Sequence, residues 1–194
     1  MRSISVARLV LAAAILVPLG AVAQSPQAQA DAAVSKFDRV MRPPAAKSAR
    51  RTVFSQSELN AYLRYKASWL PQGISDATVG FLDANHVSTS VVADLDHVRQ
   101  RSSGGWFDPT AYLKGKLPVF VSGTLTTGGG RGTFQLERAT VDGIPVPPMF
   151  IQEIFAYYTR TPELPSGMRL DAPFLLPSEI ERIDVAAGQA TVVQ

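Results

Sequence analysis

Three pairs of short segments, each joined by a tight turn, constrain the fold of this chain more than any other feature. The pairs are 74–82 with 86–96, 117–127 with 132–141, and 180–185 with 190–193, and their turns contain Asn85, Gly128 to Gly130, and Gly188. Alternating apolar and polar residues predict strands with one buried and one solvated face, and such turns predict antiparallel hairpins. We therefore expect a curved antiparallel sheet of about six strands.

One of these segments changes the phase of its alternation. Phe134 and Leu136 occupy even positions, whereas Ala139 and Val141 occupy odd ones. An extra residue near Glu137-Arg138 would return all four side chains to one face. The pattern therefore predicts a β-bulge, which would also curve the sheet.

Two amphipathic helices accompany the hairpins. Ser55-Gln56-Ser57-Glu58 matches a capping box, and an apolar face follows from Leu59 to Leu70. Pro147-Pro148 opens a second helix whose apolar face extends to Tyr158. The spacing also predicts a short helix over 33–41, with 24–30 loosely structured. We expect an α+β fold in which residues 52–194 form one domain, with the sheet packed on the two amphipathic helices.

The first residues have the pattern of a secretory signal peptide. Arg2 and Arg8 precede an apolar run over 9–22, and Ala21-Val22-Ala23 provides a small-residue exit. The run is shorter than the roughly 20 residues of a membrane-spanning helix. We expect residues 1–23 to be cleaved after Ala23 and the protein to be exported to the periplasm or beyond. The chain contains no cysteine, which excludes disulfides and thiol chemistry.

The segment 24–51 is basic, and the remainder is not. It has six basic and two acidic residues, whereas 52–194 has 11 basic and 14 acidic residues. A nucleic-acid-binding fold usually carries a basic stripe, so we expect no nucleic-acid partner. The basic residues of 36–51 either contact anionic lipid headgroups or remain solvated in a leader.

Motifs for catalysis or metal binding are weak. The imidazoles are His86 and His97. In a strand, Asp94 and Asp96 would point away from His97, which opposes a shared metal site. A Gly-x-Ser-x-Gly elbow is missing, and the glycines of 128–132 lack the Lys-Ser/Thr of a phosphate loop. We expect neither an enzyme, nor a cofactor, nor a metal.

The supply of apolar side chains on the two helices is the strongest functional signal. These stripes either complete one ordinary core or leave a slot for a lipid or another apolar molecule, since burying each methylene contributes about 0.8 kcal/mol. Loops at Trp106-Phe107 and 174–176 would form the lips of such a slot. The candidate ligand-binding residues are Leu59, Tyr62, Leu63, Trp69, Trp106, Phe107, Phe150, Ile151, Ile154, Phe155 and Tyr158. An alternative hypothesis is an assembly module that binds another envelope protein.

Five short motifs follow one another along the chain. They are Ser57-Glu58-Leu59-Asn60, Leu70-Pro71-x-x-Ile74, Val121-x-Gly123-x-Leu125, the Val141 to Pro147 segment, and Leu176-Pro177-x-x-Ile180. In this order the chain resembles the LmeA-like exported bacterial lipid-binding proteins, which are related to the tubular lipid-binding superfamily. The resemblance implies an antiparallel sheet wrapped on helices, with a lipid-sized groove. It assigns no particular binding residues.

Overall fold

A computed structural model describes residues 24–44, 49–96, 114–177 and 179–194. The helices are α1 (Pro26–Val40), α2 (Gln56–Tyr65) and α3 (Pro148–Tyr158). The strands are β1 (Arg51–Ser55), β2 (Ile74–Asp83), β3 (His86–Asp94), β4 (Lys116–Gly128), β5 (Arg131–Val141), β6 (Ile144–Pro145), β7 (Phe174–Leu175), β8 (Arg182–Ala186) and β9 (Gln189–Val193). The predicted α+β class is confirmed.

The larger sheet contains the first two predicted hairpins. Its order is β2-β3-β4-β5-β6, β7 pairs with the other end of β5, and every pairing is antiparallel. Asn85 turns the chain between β2 and β3 with a φ of 68°, a left-handed conformation that asparagine tolerates. The sheet is open and has the expected number of about six strands, although β6 and β7 complete it and the third predicted hairpin lies in another sheet.

The predicted bulge lies in β5. Ser122 faces Arg138, and the next residue of β4, Gly123, faces Leu136, so Glu137 is the extra residue. The phase change of the sequence therefore has the expected cause. Beyond the bulge, β5 continues with its apolar residues on the same face as Leu136.

Helix α3 covers this apolar face. Phe150, Ile151 and Ile154 are buried. They share one core cluster with residues of β4 and β5 and with residues at the end of β3, namely Ala93, Leu95, Val119, Ala139 and Val141. Removal of this apolar surface from water, at about 25 cal/mol per Å², anchors α3 to the sheet.

A second sheet has the order β1-β9-β8 and contains the third predicted hairpin. It joins the turns of the larger sheet through reciprocal hydrogen bonds. The Asn85 amide donates to the Val185 carbonyl at 3.1 Å, and the Val185 amide donates to Asn85 Oδ1 at 3.1 Å. Thr127 Oγ1 donates to the Ile183 carbonyl and accepts from the Ile183 amide, both at 2.7 Å. Hydrogen bonds from the backbone and side chain of Asn85 and from the side chain of Thr127 to β8 therefore hold the two sheets together.

The helix ends differ in part from expectation. The capping box of α2 is confirmed, since Ser55 Oγ accepts from the Glu58 amide at 3.2 Å and the Ser55 amide donates to Glu58 Oε2 at 2.9 Å. However, α2 ends at Tyr65 rather than near Leu70. The prediction of loose structure over 24–30 is wrong, because Ser25 caps a helix that already begins at Pro26.

Helix α1 packs on α2, although the sequence suggested a separate leader. The centroid of the Phe37 ring lies 4.8 Å from the ring centroids of both Phe54 and Tyr62. Lys36 Nζ lies 2.6 Å from Glu58 Oε2. Partial burial acts to raise the pKa of Glu58, but hydrogen bonds from Lys36 and Ser55 lower it below the usual 4.5. Lys36 and Phe37, which belong to the basic segment 24–51, therefore take part in the packing of α1 on the rest of the fold.

Helix α2 also covers the outer edge of β2. Asn60 Nδ2 donates to the Val79 carbonyl at 3.0 Å, and the Val79 amide donates to Asn60 Oδ1 at 2.7 Å. The Phe81 amide donates to Gln56 Oε1 at 2.8 Å. Side-chain amides therefore take the place of a neighbouring strand and protect an edge that could otherwise pair with another chain.

Candidate functional site

The helices that were expected to share one slot pack in different parts of the molecule. Leu59 of α2 packs against the clusters around Phe54 and Phe81. Phe150, Ile151 and Ile154 of α3 belong to the separate cluster beneath that helix. These α3 residues act as core, which was the first of the two interpretations of the apolar stripes.

The remaining α2 candidates lie around a groove and on the surface. Leu63 lines a groove of about 770 Å³ between α1, α2 and β2, which we call the edge groove. Tyr62 packs against α1. Trp69 is 63% exposed, and its Nε1 donates to the Tyr62 hydroxyl at 3.3 Å. The edge groove mixes apolar residues with Arg64 and Asp76, so its chemistry is more polar than the sequence suggested.

Tyr158 and Phe155 have different positions on α3. The Tyr158 hydroxyl donates to the Asp94 carbonyl at 2.7 Å. Partial burial, followed by the charges of Asp94 and Tyr157, raises the pKa of Tyr158 to about 12. Phe155, in contrast, lines an open apolar cavity. The last two candidates, Trp106 and Phe107, lie outside the described residues.

The cavity at Phe155 adjoins a second cavity along α3. They measure about 460 and 480 Å³ and share Phe134, Arg169 and Leu170. Together they form what we call the α3 furrow, bounded by β5, by α3 and by the segment that follows α3. Its apolar lining is Phe134, Leu136, Pro148, Met149, Phe155, Leu164, Met168, Leu170, Ala172, Pro173 and Phe174. These volumes lie in the range of small-molecule sites.

Residues 159–173, the wall loop, form the outer side of the α3 furrow and are fastened to α3. The Met168 amide donates to Thr159 Oγ1 at 2.8 Å, and Thr159 Oγ1 donates to the Phe155 carbonyl at 2.8 Å. Gly167 has a φ of 72°, and a Cβ there would lie 2.5 Å from the carbonyl carbon of Ala156. Only glycine allows the wall loop to approach the helix so closely.

The floor of the α3 furrow uses glycine in a second way. A Cβ on Gly132 would lie 2.5 Å from Phe174 Cζ, and one on Gly123 would lie 2.8 Å from Phe134 Cζ. Each aromatic ring therefore lies directly over a glycine of the sheet. The rings fill the space that side chains would take and present apolar faces to the cavity.

Part of the lining is exposed. Met149 is 73% exposed, Met168 is 42% exposed and Leu164 is 39% exposed. Methionine is unbranched and polarisable, and it adapts to apolar partners of irregular shape. An exposed cluster of such residues around a cavity is typical of a ligand or partner site. The wall loop was not among the predicted site segments, because its Leu, Met and Gly residues follow no periodic pattern in the sequence.

One ion pair lies at the mouth of the α3 furrow. Arg169 Nη2 donates to Asp171 Oδ2 at 2.8 Å, and Arg169 Nε donates to Asp171 Oδ1 at 3.1 Å. Hydrogen bonding from Arg169 lowers the pKa of Asp171, and the same contact raises the pKa of Arg169. Both side chains are therefore charged at neutral pH.

Groups with catalytic potential are sparse among the described residues. His86 Nδ1 lies 3.0 Å from Asp83 Oδ1, and His86 Nε2 lies 3.3 Å from Glu137 Oε1. These three side chains are exposed and line none of the cavities described above. No group of three or more His, Asp or Glu residues within 24–44, 49–96, 114–177 and 179–194 could hold a metal. Asp96 donates its amide to Asp94 Oδ1, while His97 lies outside the described residues.

The basic segment is partly engaged in the fold. Lys36 binds Glu58, and Arg50 donates to the carbonyls of Arg39 and Arg42 and to Gln194 Oε1. Lys47 lies outside the described residues. Within the described parts of the chain, none of the helices has the length and apolarity to cross a membrane.

Fold and site together define an α+β protein with an open apolar furrow beside α3. In comparisons with known proteins, no family model, no curated protein and no solved structure matches this chain.

Proposed function

We propose that this is an exported, non-catalytic protein that binds one acyl chain, or an apolar molecule of similar shape, in the α3 furrow. The observation that supports it is the lining of the two adjoining cavities, which is mostly apolar and partly exposed. The resemblance to LmeA-like proteins implies the same class of ligand. The site therefore differs from the expected slot between two helices, while the expected ligand is retained.

The energetics and the shape of the α3 furrow both suit an extended acyl chain. Each buried methylene contributes about 0.8 kcal/mol, so about ten methylenes contribute about 8 kcal/mol before the cost of association. A flexible chain can follow both cavities in turn, because they adjoin at Phe134 and Leu170. The fixed wall loop reduces the ordering cost of binding, since little of the site must be organised by the ligand.

Native mass spectrometry and lipid extraction test the proposal directly. Protein isolated from envelope fractions should carry an apolar molecule, and dodecyl maltoside below its micellar concentration should raise the Tm. Phe155→Asp should abolish both effects by placing a carboxylate in the furrow. Phe120→Asp is the matched control, because Phe120 is half-buried but does not line either cavity.

Folding of each variant is checked first by circular dichroism. If Phe155→Asp does not fold, Phe155→Ala provides the same comparison with Phe120→Ala. A folded Phe155 variant that retains its bound molecule would place the ligand elsewhere. Failure of the wild-type protein to carry any apolar molecule or to respond to the detergent would refute the proposal.

Export is tested separately. The mature protein should begin at Gln24 in Edman or mass-spectrometric sequencing of a periplasmic fraction. A protein that remains in the cytoplasmic fraction with residues 1–23 attached would refute this part of the proposal.

A second candidate is an envelope assembly module. Ile144 is 60% exposed and Leu175 is 75% exposed, and both lie outside the α3 furrow lining. A stoichiometric protein partner in cross-linked envelope fractions, lost in Ile144→Ser or Leu175→Ser, together with an empty furrow, would favour this function.

A further inference from the structure

The α3 furrow contains little charge, and the charge that it has is balanced. Among the described residues that line its two cavities, Arg169 and Asp171 are the charged ones. Arg169 borders both cavities, whereas Asp171 borders the one at the start of α3. A ligand whose chain fills the furrow would therefore place its polar end beside one guanidinium and one carboxylate.

The position of this ion pair is built into the fold. Gln152 of α3 donates from Nε2 to the Met168 carbonyl at 3.0 Å and accepts from the Leu170 amide at 2.7 Å. One side chain thus fixes the backbone on both sides of Arg169. The pair is held at the mouth by α3, although both of its side chains are exposed to water.

The ion pair itself is easily opened. Arg169 is 73% exposed and Asp171 is 68% exposed in their side chains. Exposed pairs between near neighbours contribute little to stability, because water and salt screen the attraction. A ligand could exchange the pair for two contacts of its own without a large loss of stability.

Resting on the proposed function, we propose that the α3 furrow selects single-chain amphiphiles with a zwitterionic headgroup. The anionic group would bind the Arg169 guanidinium, whose planar donors suit phosphate oxygens. The cationic group would bind the Asp171 carboxylate. A purely anionic headgroup would meet repulsion from Asp171, and a purely cationic one would meet repulsion from Arg169.

Three probes with the same dodecyl chain separate the headgroup from the chain. They are dodecylphosphocholine, dodecanoate and dodecyltrimethylammonium, each titrated calorimetrically below its micellar concentration at pH 7. Wild-type protein should bind the phosphocholine about two- to fivefold more tightly than either other probe, which is the range expected of contacts with exposed charges. Asp171→Asn should shift the preference toward dodecanoate by about two- to fivefold, and Arg169→Gln should shift it toward dodecyltrimethylammonium by a similar factor.

The chain supplies a matched control. Arg182 and Asp184 form another ion pair at the same spacing, with Arg182 Nε 3.2 Å from Asp184 Oδ1, on β8 and outside the furrow lining; Arg182 is half-buried and Asp184 is exposed. Arg182→Gln and Asp184→Asn change the net charge equally and should leave the preferences unchanged.

The outcomes distinguish this inference from the function on which it rests. Equal binding of the three probes, or equal shifts in the control variants, would overturn the headgroup inference while leaving acyl-chain binding intact. Binding of none of the probes would overturn both.

Discussion

Gly167→Ala tests whether the fixed wall loop creates the α3 furrow. The substitution adds one methyl group at a residue with a φ of 72°. The new Cβ would lie 2.5 Å from the carbonyl carbon and 2.7 Å from the Cα of Ala156. The Ala156 carbonyl oxygen would lie closer still, and real Cβ atoms essentially never approach within 3.0 Å, so the wall loop or α3 must shift by about one ångström or more.

Two costs add at this position. An alanine in the left-handed region costs about 1–2 kcal/mol. Steric overpacking adds about 1–3 kcal/mol. The free energy of unfolding should therefore fall by about 2–5 kcal/mol. Because Met168 and Leu170 lie on the same loop, the furrow should widen and the affinity for a dodecyl probe should fall.

Gly188→Ala is the control that isolates the steric cost. Gly188 has a φ of 73°, yet a Cβ there would meet nothing within 4 Å. Urea unfolding should show a loss of only about 1–2 kcal/mol, and calorimetry should show unchanged affinity. If the two variants lose equal stability and bind the probe equally well, the wall loop does not form the site as described.

Three further predictions concern the fold. Thr52 Oγ1 is buried with no hydrogen-bond partner within the described part of the chain, so Thr52→Val should raise the free energy of unfolding by about 1–2 kcal/mol in urea; a loss of stability would reveal a missed partner. Asn60→Ala removes both bonds to Val79 and should cost about 1–3 kcal/mol by the same assay, whereas an unchanged midpoint would show that the edge needs no cover. The pKa of Glu58 is lowered in the folded protein, so its contribution to stability is complete above pH 4.5 and is lost as pH falls through its folded-state pKa. Lys36→Met should therefore reduce the loss of Tm between pH 6 and pH 2 in thermal melts. Parallel curves of Tm against pH for the variant and the wild type would show that Lys36 does not lower the pKa of Glu58.

The parts of the fold that depend on neighbours in sequence could be predicted. The hairpins followed from alternation and turn residues, the capping box from Ser55 and Glu58, and the bulge from the phase change around Glu137. Each signal lies within a few residues of the structure that it specifies. Such local rules need no knowledge of the rest of the molecule.

The parts of the fold that depend on residues distant in sequence could not be predicted. Strand β1 is only five residues long, and its pairing with β9 is invisible from either segment alone. The sequence also could not show which apolar faces meet, so Phe150 and Phe155 received the same role although the first is core and the second lines the furrow. The exposed wall-loop residues had no periodicity from which a site could be inferred.

The pairing of β1 with β9 has a consequence for the order in which the molecule assembles. The hairpins of the larger sheet close short loops and can form early, whereas β1 must wait for a segment that follows it by most of the described chain. Val40 of α1 shares a cluster with Val192 of β9, so this part of the packing is delayed as well, whereas the contacts of α1 with α2 can form earlier. Strand β1 therefore stays unpaired until β9 is available, whereas α2 can already bond to β2. Because β9 is the central strand of the smaller sheet, neither β1 nor β8 has its partner in that sheet before β9 is in place.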